Sequence, residues 1–300
     1  MALHWRTFKA LAVSSVLVFA ACGAQAGETQ ALPDLPAYCK FVPPPSQSLP
    51  GATSFTYKEV GDRALRIHVF APSGDGRSRP AAVFFYGGGF RMGDTASYVE
   101  LAKAFVAHGY VAALADYRVL CRDRVTPMAG IDDAEAAHHW LLDHAAELGV
   151  DRRRVVLVGG SAGGQLAAAA ALRELPHLRP AALVLFNPVT DLTVGPWAQD
   201  MTPAQVAAYS ASALPIAGLP PTIIFHGTAD TTVPIKTARD FCDRALAANR
   251  TCKLVEYAGV GHSFADKREM VPALGLVPFD DTAAKAFGFL DSVLAPPPPH

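Results

Sequence analysis

The chain has 300 residues, of which 51% are hydrophobic and 18% are charged, and its formal net charge is -1. A chain of this length and composition can bury a large hydrophobic core. The near-neutral charge supplies no basic patch for nucleic acid and no polybasic signal for a membrane surface, so we expect a small, neutral or weakly charged partner.

The first 26 residues have the pattern of a secretory signal peptide, in which basic side chains precede an apolar run at 10–21. The run is too short to span a bilayer comfortably. Processing is possible after Ala26, in an Ala-Gln-Ala segment, or at Cys22, which ends a segment resembling a lipobox. Phe19 stands where lipoboxes usually carry leucine, which favours the soluble product. We therefore expect an exported periplasmic or extracellular protein, anchored to the membrane only if Cys22 is lipidated.

Export makes the cysteine count informative. Of the five cysteines, one lies in the leader, so four remain and would form two disulfide bonds. Cys242 lies in a predicted helix and Cys252 just after its end, so this pair would close a short loop and leave Cys39 to pair with Cys121. Four buried free thiols are the alternative.

The mature chain begins with a proline-rich arm at 27–50, which we expect to be irregular. Two predicted strands follow at 53–60 and 64–70, with β-branched and aromatic residues on either side of a Gly-Asp turn. This pattern predicts an antiparallel hairpin at a sheet edge. The next strand, at 81–85, is a continuous apolar run, which is typical of a strand covered on both faces.

Apolar strands then alternate with helical segments, which predicts a mostly parallel sheet with helices on both faces. The predicted helices are 97–108, 131–148, 162–175, 235–248 and 281–294, and the remaining predicted strands are 110–115, 155–158, 181–186, 222–225 and 253–257. The sequence therefore predicts an α/β domain over 51–295 with about eight strands, followed by a disordered tail at 296–300.

The segment 188–219 interrupts this alternation, because it is rich in proline and has no clear strand, with one short helical stretch at 203–209. Insertions after a sheet strand often form lids. A long crossover connection is the alternative.

The most informative stretch is 154–172, in which a short apolar strand leads through Gly159, Ser161 and Gly163 into an alanine-rich helix. The G-x-S-x-G spacing suits a sharp turn that exposes the serine hydroxyl as a nucleophile. A nucleotide-binding turn is the alternative, but the glycines do not fit G-x-G-x-x-G and no P-loop lysine follows.

A nucleophilic serine needs a base and a carboxylate that orients the base. His262 and Asp230 each follow a predicted parallel strand. Because the carboxyl ends of parallel strands meet at one edge of a sheet, we expect Ser161, Asp230 and His262 to lie together. Asp191 and Asp266 are rival carboxylates, and an Asx-turn or a helix cap is the alternative role of Asp230.

Other titratable side chains have predicted roles outside the reaction. His226 ends a strand and is predicted to support the site or to fill the core, and His138 lies on the apolar stripe of a helix. Glu135, His139 and Asp143 share a polar helix face without converging as a metal set. We expect neither a metal nor another cofactor.

Three glycines occur in the segment Tyr86–Phe90, directly after the strand at 81–85. Glycine lets backbone N–H groups approach a ligand closely. Together with the N–H of Ala162 beside the serine, this loop would complete a site for a developing negative charge.

The segments YGGGF, DYR, GGSAGG, HGTAD and GHSF together resemble the hormone-sensitive-lipase-like carboxylesterases of the α/β-hydrolase fold, which include bacterial acetyl esterases. The resemblance covers roughly 81–294 and implies a small cap insertion. The roles it implies are nucleophile for Ser161, acid for Asp230, base for His262, and oxyanion N–H donors for Gly88, Gly89 and Ala162. Family members usually carry histidine where this chain has Tyr86, whose side chain we expect to shape the glycine loop through a hydrogen bond.

The sequence thus predicts an exported serine esterase that hydrolyses short-chain acyl esters, above all acetyl esters, through an acyl-enzyme. Its substrates would be small-molecule or oligosaccharide esters. An exported serine peptidase of the same fold is one alternative, although such peptidases usually add a gating domain. A non-catalytic binding protein on a hydrolase scaffold is the other, although binding alone does not require all these groups together.

Overall fold

A computed structural model describes residues 35–74 and 78–295 of the chain. The predicted leader at 1–26, with Cys22 and Ala26, lies outside the described residues, and so do the start of the arm at 27–34 and the tail at 296–300. Across the two described ranges, none of the helices combines the length and the apolar character needed to cross a membrane.

One sheet of eight strands organises the described residues. The strands are β1 (Thr53–Val60), β2 (Arg63–Phe70), β3 (Arg79–Phe85), β4 (Val111–Ala115), β5 (Val150–Gly160), β6 (Ala182–Phe186), β7 (Thr222–Gly227) and β8 (Cys252–Tyr257). Their order across the sheet is β1-β2-β4-β3-β5-β6-β7-β8. The pairs β1–β2 and β2–β4 are antiparallel and all other neighbours are parallel, which confirms the predicted hairpin at one edge and the mostly parallel sheet.

The apolar runs of the central strands feed two hydrophobic layers, because successive side chains of a strand point to opposite faces. In β5, Val155 and Leu157 join one buried cluster, whereas Val156 and Val158 join the other. Both faces of the sheet are therefore covered, as continuous apolar strands predict.

Helices cover both faces. They are α1 (Val99–Ala107), α2 (Leu120–Asp123), α3 (Pro127–Asp143), α4 (Ala162–Arg173), α5 (Pro203–Tyr209), α6 (Ile235–Ala247) and α7 (Pro278–Leu294). Buried residues of α3, α4 and α6 belong to one hydrophobic cluster, and those of α1 and α7 belong to the other. Every residue from 162 to 172 is buried, so the small alanine side chains let α4 pack tightly against its neighbours.

Two predicted elements differ most from the structure in their bounds. The helix predicted at 131–148 is α3, which begins earlier because Pro127 occupies the first turn, where its missing N–H costs nothing. It ends at Asp143, with turns from 144 to 149. The strand predicted at 155–158 is β5, which begins at Val150; its polar residues 151–154 conceal this extension, although Val150 pairs with Arg79 of β3.

Two disulfide bonds tie these elements together. Cys39, in a 3₁₀ turn of the arm, is bonded to Cys121 of α2, and Cys242 of α6 is bonded to Cys252 of β8. These are the two pairs that the sequence predicts. The short helix α2, which the sequence analysis did not predict, thus becomes the attachment point of the arm.

Candidate active site

The turn between β5 and α4 holds Ser161 in a backbone conformation that side chains rarely adopt, with φ 54° and ψ -119°. Glycine is required on both sides of the serine. A side-chain carbon at Gly159 would lie 2.2 Å from the carbonyl oxygen of Gly163, and one at Gly163 would lie 2.0 Å from that of Phe85. This packing fixes the serine hydroxyl at the carboxyl edge of the sheet.

The structure brings Ser161, His262 and Asp230 into one chain of hydrogen bonds. His262 Nε2 lies 3.0 Å from Ser161 Oγ, and His262 Nδ1 lies 2.7 Å from Asp230 Oδ2. An ionised carboxylate can only accept, so Nδ1 carries the proton and leaves Nε2 free to accept from the serine hydroxyl. Neither rival carboxylate bonds to His262: Asp191 accepts from Thr193, and Asp266 stands at the rim of the cavity.

Asp230 is held as an anion by a dense set of donors. Its Oδ1 accepts hydrogen bonds of 2.9 Å from the backbone N–H groups of Thr232 and Val233, so it also forms the Asx-turn that was its alternative role. Burial raises the pKa of Asp230, but hydrogen bonds from His226, from His262 and from the backbone outweigh this effect and hold the pKa well below its usual range.

His226 combines the two roles that the sequence left open. It is fully buried, its Nε2 donates to the carbonyl of Val233 at 2.9 Å, and the same nitrogen lies 3.2 Å from Asp230 Oδ2. Its Nδ1 has no partner among the described residues. His226 therefore fills the core and supports the carboxylate that orients His262.

The glycine loop after β3 lies against the serine. A side-chain carbon on Gly87 would be 3.3 Å from the Cβ of Ser161. Gly88 has φ 129° and a side-chain carbon there would lie 1.9 Å from the carbonyl oxygen of Met92, so only glycine fits. In the described part of the chain, the N–H groups of Gly88, Gly89 and Ala162 have no hydrogen-bond acceptor, which leaves them available to a ligand oxygen.

Tyr86 supports this loop indirectly. Its buried hydroxyl donates to Asp116 at 2.8 Å and accepts from Arg122 at 2.9 Å, and Arg122 also donates to the carbonyl of Gly93 at 2.8 Å. The Tyr86 hydroxyl is therefore hydrogen-bonded to Asp116 and Arg122 and not to the glycines themselves. The ring does contact the end of the loop, since a side-chain carbon on Gly93 would lie 2.5 Å from Tyr86 Cδ2.

A cavity of about 420 Å³ opens above Ser161. Among the lining residues that were not identified from the sequence, Asn187 and Trp197 lie against predicted site residues. Asn187 has φ 36° at the end of β6, and its Nδ2 lies 3.3 Å from His262 Nε2. Trp197, from the segment 188–219, covers Gly89, where a side-chain carbon would lie 3.1 Å from the indole ring. The only local signal for Asn187 is its place between a strand and a proline, and Trp197 has none.

The remaining titratable candidates are engaged elsewhere. Glu135 pairs with Arg173, His139 lies 2.5 Å from Glu174, and Asp143 is largely exposed. His138 is buried in α3 as predicted. No group of three or more potential metal ligands occurs within 35–74 and 78–295.

A family model described as the alpha/beta hydrolase fold matches residues 82–266, which is more than half of the chain. The chain belongs to the α/β-hydrolase family. This match, together with the similar carboxylesterases and esterase structures below, confirms the resemblance to the hormone-sensitive-lipase-like carboxylesterases.

Solved structures of Thermogutta terrifontis esterase 2 are similar along most of the chain. The structure with propionate bound has a TM-score of 0.73 and 36% identity, covering 84% of this chain and 97% of that one. The structure phosphorylated by paraoxon has a TM-score of 0.74 and 36% identity, covering 83% and 97%. A likeness of this extent shows that most of the chain has the fold of a known esterase.

Curated relatives match over shorter segments. Carboxylesterase NlhH of Mycobacterium tuberculosis is 39% identical over 106 residues, which is 35% of this chain and 32% of that protein. Ethyl acetate hydrolase of Pseudomonas putida is 35% identical over 135 residues, which is 42% of this chain and 41% of that protein. The match thus spans about a third of the length of NlhH and two fifths of that of ethyl acetate hydrolase.

Proposed function

We propose that the protein is a serine carboxylesterase that hydrolyses esters of short acyl chains, acetyl esters above all. The main observation behind the proposal is the continuous hydrogen-bond chain from Ser161 through His262 to Asp230. Beside it lie three backbone N–H groups that have no acceptor among the described residues. The similarity to named esterases supports the same reaction class.

In the proposed reaction, Ser161 Oγ attacks the ester carbonyl while His262 Nε2 takes the hydroxyl proton. The N–H groups of Gly88, Gly89 and Ala162 stabilise the negative charge on the carbonyl oxygen. Collapse of this intermediate breaks the bond to the alcohol, which leaves with the proton from His262. Water then attacks the acyl-enzyme with His262 as the base, releasing the acid and restoring the serine hydroxyl.

The size of the cavity supports short acyl groups. At about 420 Å³ it must hold both halves of the ester, and Trp197 closes one wall over the oxyanion loop. Propionate-bound and butyrate-bound structures exist for the similar Thermogutta terrifontis esterase 2. We extend the proposal to the segment 188–219, which would act as a small lid through Trp197.

A chain-length series of p-nitrophenyl esters, from acetate to octanoate, tests this proposal. We expect hydrolysis with the highest kcat/KM at acetate or propionate, and loss of activity in Ser161→Ala but not in the control Ser292→Ala. In Trp197→Ala the preference should move towards longer acyl chains. An active Ser161→Ala variant would refute the assignment, and cleavage of peptides without any ester would favour the serine peptidase of the same fold. Acetylated oligosaccharides would be tested in the same way, because oligosaccharide esters are one of the expected substrate classes.

We also propose that the protein is exported. Two disulfide bonds support a location outside the cytoplasm, because such bonds persist in oxidising compartments. Mass spectrometry of the mature N-terminus would distinguish cleavage after Ala26 from a lipid-bearing Cys22. Recovery of the protein with an uncleaved leader would contradict export.

A further inference from the structure

The cavity above Ser161 carries negative charge without a matching cation. Asp94 and Asp266 line it, and none of the lysines or arginines in the described ranges does. The Asp94 carboxylate is occupied, because it accepts from the N–H and hydroxyl of Ser46 at 2.7 and 2.8 Å and from the N–H of Ala96 at 2.8 Å. Asp266 is the carboxylate that remains available to a ligand.

Asp266 has no compensating partner among the residues that the structure describes. Its side chain is exposed to the cavity, and within the described residues it forms neither a hydrogen bond nor an ion pair. Partial burial of the Asp266 carboxyl raises its pKa, and the nearby His262 lowers it by a smaller amount. The nearest arginine in sequence, Arg268, lines a smaller neighbouring cavity together with Asp266 and Glu100. It lies 3.4 Å from Glu100 and 3.9 Å from the centre of the Phe279 ring, so its charge is paired with Glu100 and not with Asp266.

Aromatic side chains surround the same space. Tyr98, Phe186 and Trp197 all line the cavity with Asp266. The faces of aromatic rings attract cations, and quaternary ammonium groups are commonly bound by several rings together. A free carboxylate among aromatic rings therefore offers an ammonium group both an ion pair and cation–π contacts.

The position of Asp266 identifies the part of the substrate that it would meet. In ester hydrolysis the general acid must reach the oxygen of the leaving alcohol, so the alcohol lies beside His262. Asp266 follows in the same loop, in the 3₁₀ turn Phe264–Asp266. It also borders a second cavity of about 130 Å³, which shares Tyr98 and Phe186 with the first and gives the alcohol room to extend.

We propose that this site selects esters whose alcohol part carries an ammonium group, with Asp266 as its counter-ion and Tyr98, Phe186 and Trp197 as aromatic walls. The inference rests on the esterase function proposed above and names the substrate class of that same site. It requires no change in the reaction, since the ammonium group stays on the alcohol that leaves.

Acetylcholine and 3,3-dimethylbutyl acetate form a matched pair for the test, because a neutral tert-butyl group replaces the trimethylammonium group at nearly the same shape. We expect wild type to hydrolyse acetylcholine with roughly tenfold higher kcat/KM, and Asp266→Asn to reduce this ratio by roughly fivefold, as befits a partly exposed charge pair. The readout is the ratio of the two kcat/KM values, because an effect of Asp266→Asn on His262 would change the hydrolysis of both esters alike. Asp62→Asn removes an exposed carboxylate from the hairpin turn and should leave the ratio unchanged.

The outcomes separate this inference from the proposed function. If wild type hydrolyses the neutral ester through Ser161 but shows no preference for acetylcholine, the ammonium site is refuted and the esterase stands. A preference that persists undiminished in Asp266→Asn refutes the counter-ion role. If wild type hydrolyses neither of these esters nor p-nitrophenyl acetate, both proposals fail together.

Discussion

Asp230 and His262 are joined by a hydrogen bond of 2.7 Å across 32 residues of sequence. The bond links two loops that follow the neighbouring strands β7 and β8, whose last residues pair in the sheet. The sheet register thus sets the imidazole between the carboxylate and the serine. A defect at Asp230 should therefore affect the reaction more than substrate binding.

Replacing Asp230 by asparagine tests that link. The asparagine side chain would keep the shape of the aspartate. Its amide can donate as well as accept a hydrogen bond, so it does not fix His262 in the Nδ1–H tautomer as the carboxylate does. We expect Asp230→Asn to lower kcat by a factor approaching ~10⁴ with little change in KM, as in other triads. Asp191→Asn serves as the control and should retain nearly full activity. Equal losses in the two variants would contradict the assignment of the acid.

The fold and the three central side chains are predictable from the sequence for one physical reason. Short apolar strands are recognisable alone, and in a parallel sheet the residues that follow them gather at one edge. Ser161, Asp230 and His262 each follow such a strand, so their contact follows from topology without knowledge of packing.

Other parts of the site depend on packing that no local pattern records. Asn187 reaches His262 only because β6 places its last residue beside the serine turn. Trp197 covers Gly89 from a segment without regular periodicity. The partners of Tyr86 lie 30 and 36 residues away, at Asp116 and Arg122, and no motif spacing indicates them.

The Tyr86 hydroxyl should matter for stability. Tyr86→Phe removes one hydrogen-bond partner from each of two charged side chains, Asp116 and Arg122, in a buried setting. We expect the free energy of unfolding in urea to fall by about 1–3 kcal/mol. The control is Tyr110→Phe, since Tyr110 is also buried but forms no side-chain hydrogen bond within the described residues. An equal free energy of unfolding for the two variants would show that the hydrogen bonds of Tyr86 with Asp116 and Arg122 do not stabilise the fold.

The two disulfide bonds should differ in their contribution to stability. The bond between Cys39 and Cys121 spans 82 residues, whereas that between Cys242 and Cys252 spans 10. Because the longer loop loses more entropy on closure in the unfolded chain, its bond should contribute ~2 kcal/mol more. Urea unfolding of the two double Cys→Ser variants measures this difference. A larger loss for the shorter loop would contradict the chain-entropy explanation.

His138 should make the protein sensitive to acid. Burial, with the charges of His139 and Arg152, lowers the pKa of His138 to about 3. An unfolded histidine titrates near ~6.5, so between these values the unfolded state binds a proton that the folded state does not. The free energy of unfolding should therefore fall by up to ~1.4 kcal/mol per pH unit as pH drops through this window.

The variant His138→Phe tests this origin of acid sensitivity. Urea unfolding between pH 6 and pH 4.5 should show a smaller loss of stability per pH unit than wild type. His177→Phe, at an exposed position, is the matched control and should behave like wild type. A pH dependence that is unchanged in His138→Phe would assign the sensitivity to other groups.

The central claim is that Ser161 is a nucleophile activated by His262, and covalent labelling tests it most directly. Paraoxon transfers a diethylphosphoryl group to an activated serine, and Thermogutta terrifontis esterase 2 has been solved phosphorylated by it. Peptide mass spectrometry of the treated protein should find one such group, on the peptide that contains Ser161, with parallel loss of activity on p-nitrophenyl acetate. Labelling should be abolished in Ser161→Ala and strongly slowed in His262→Ala. A group on another residue, or full activity after complete labelling of Ser161, would contradict the account.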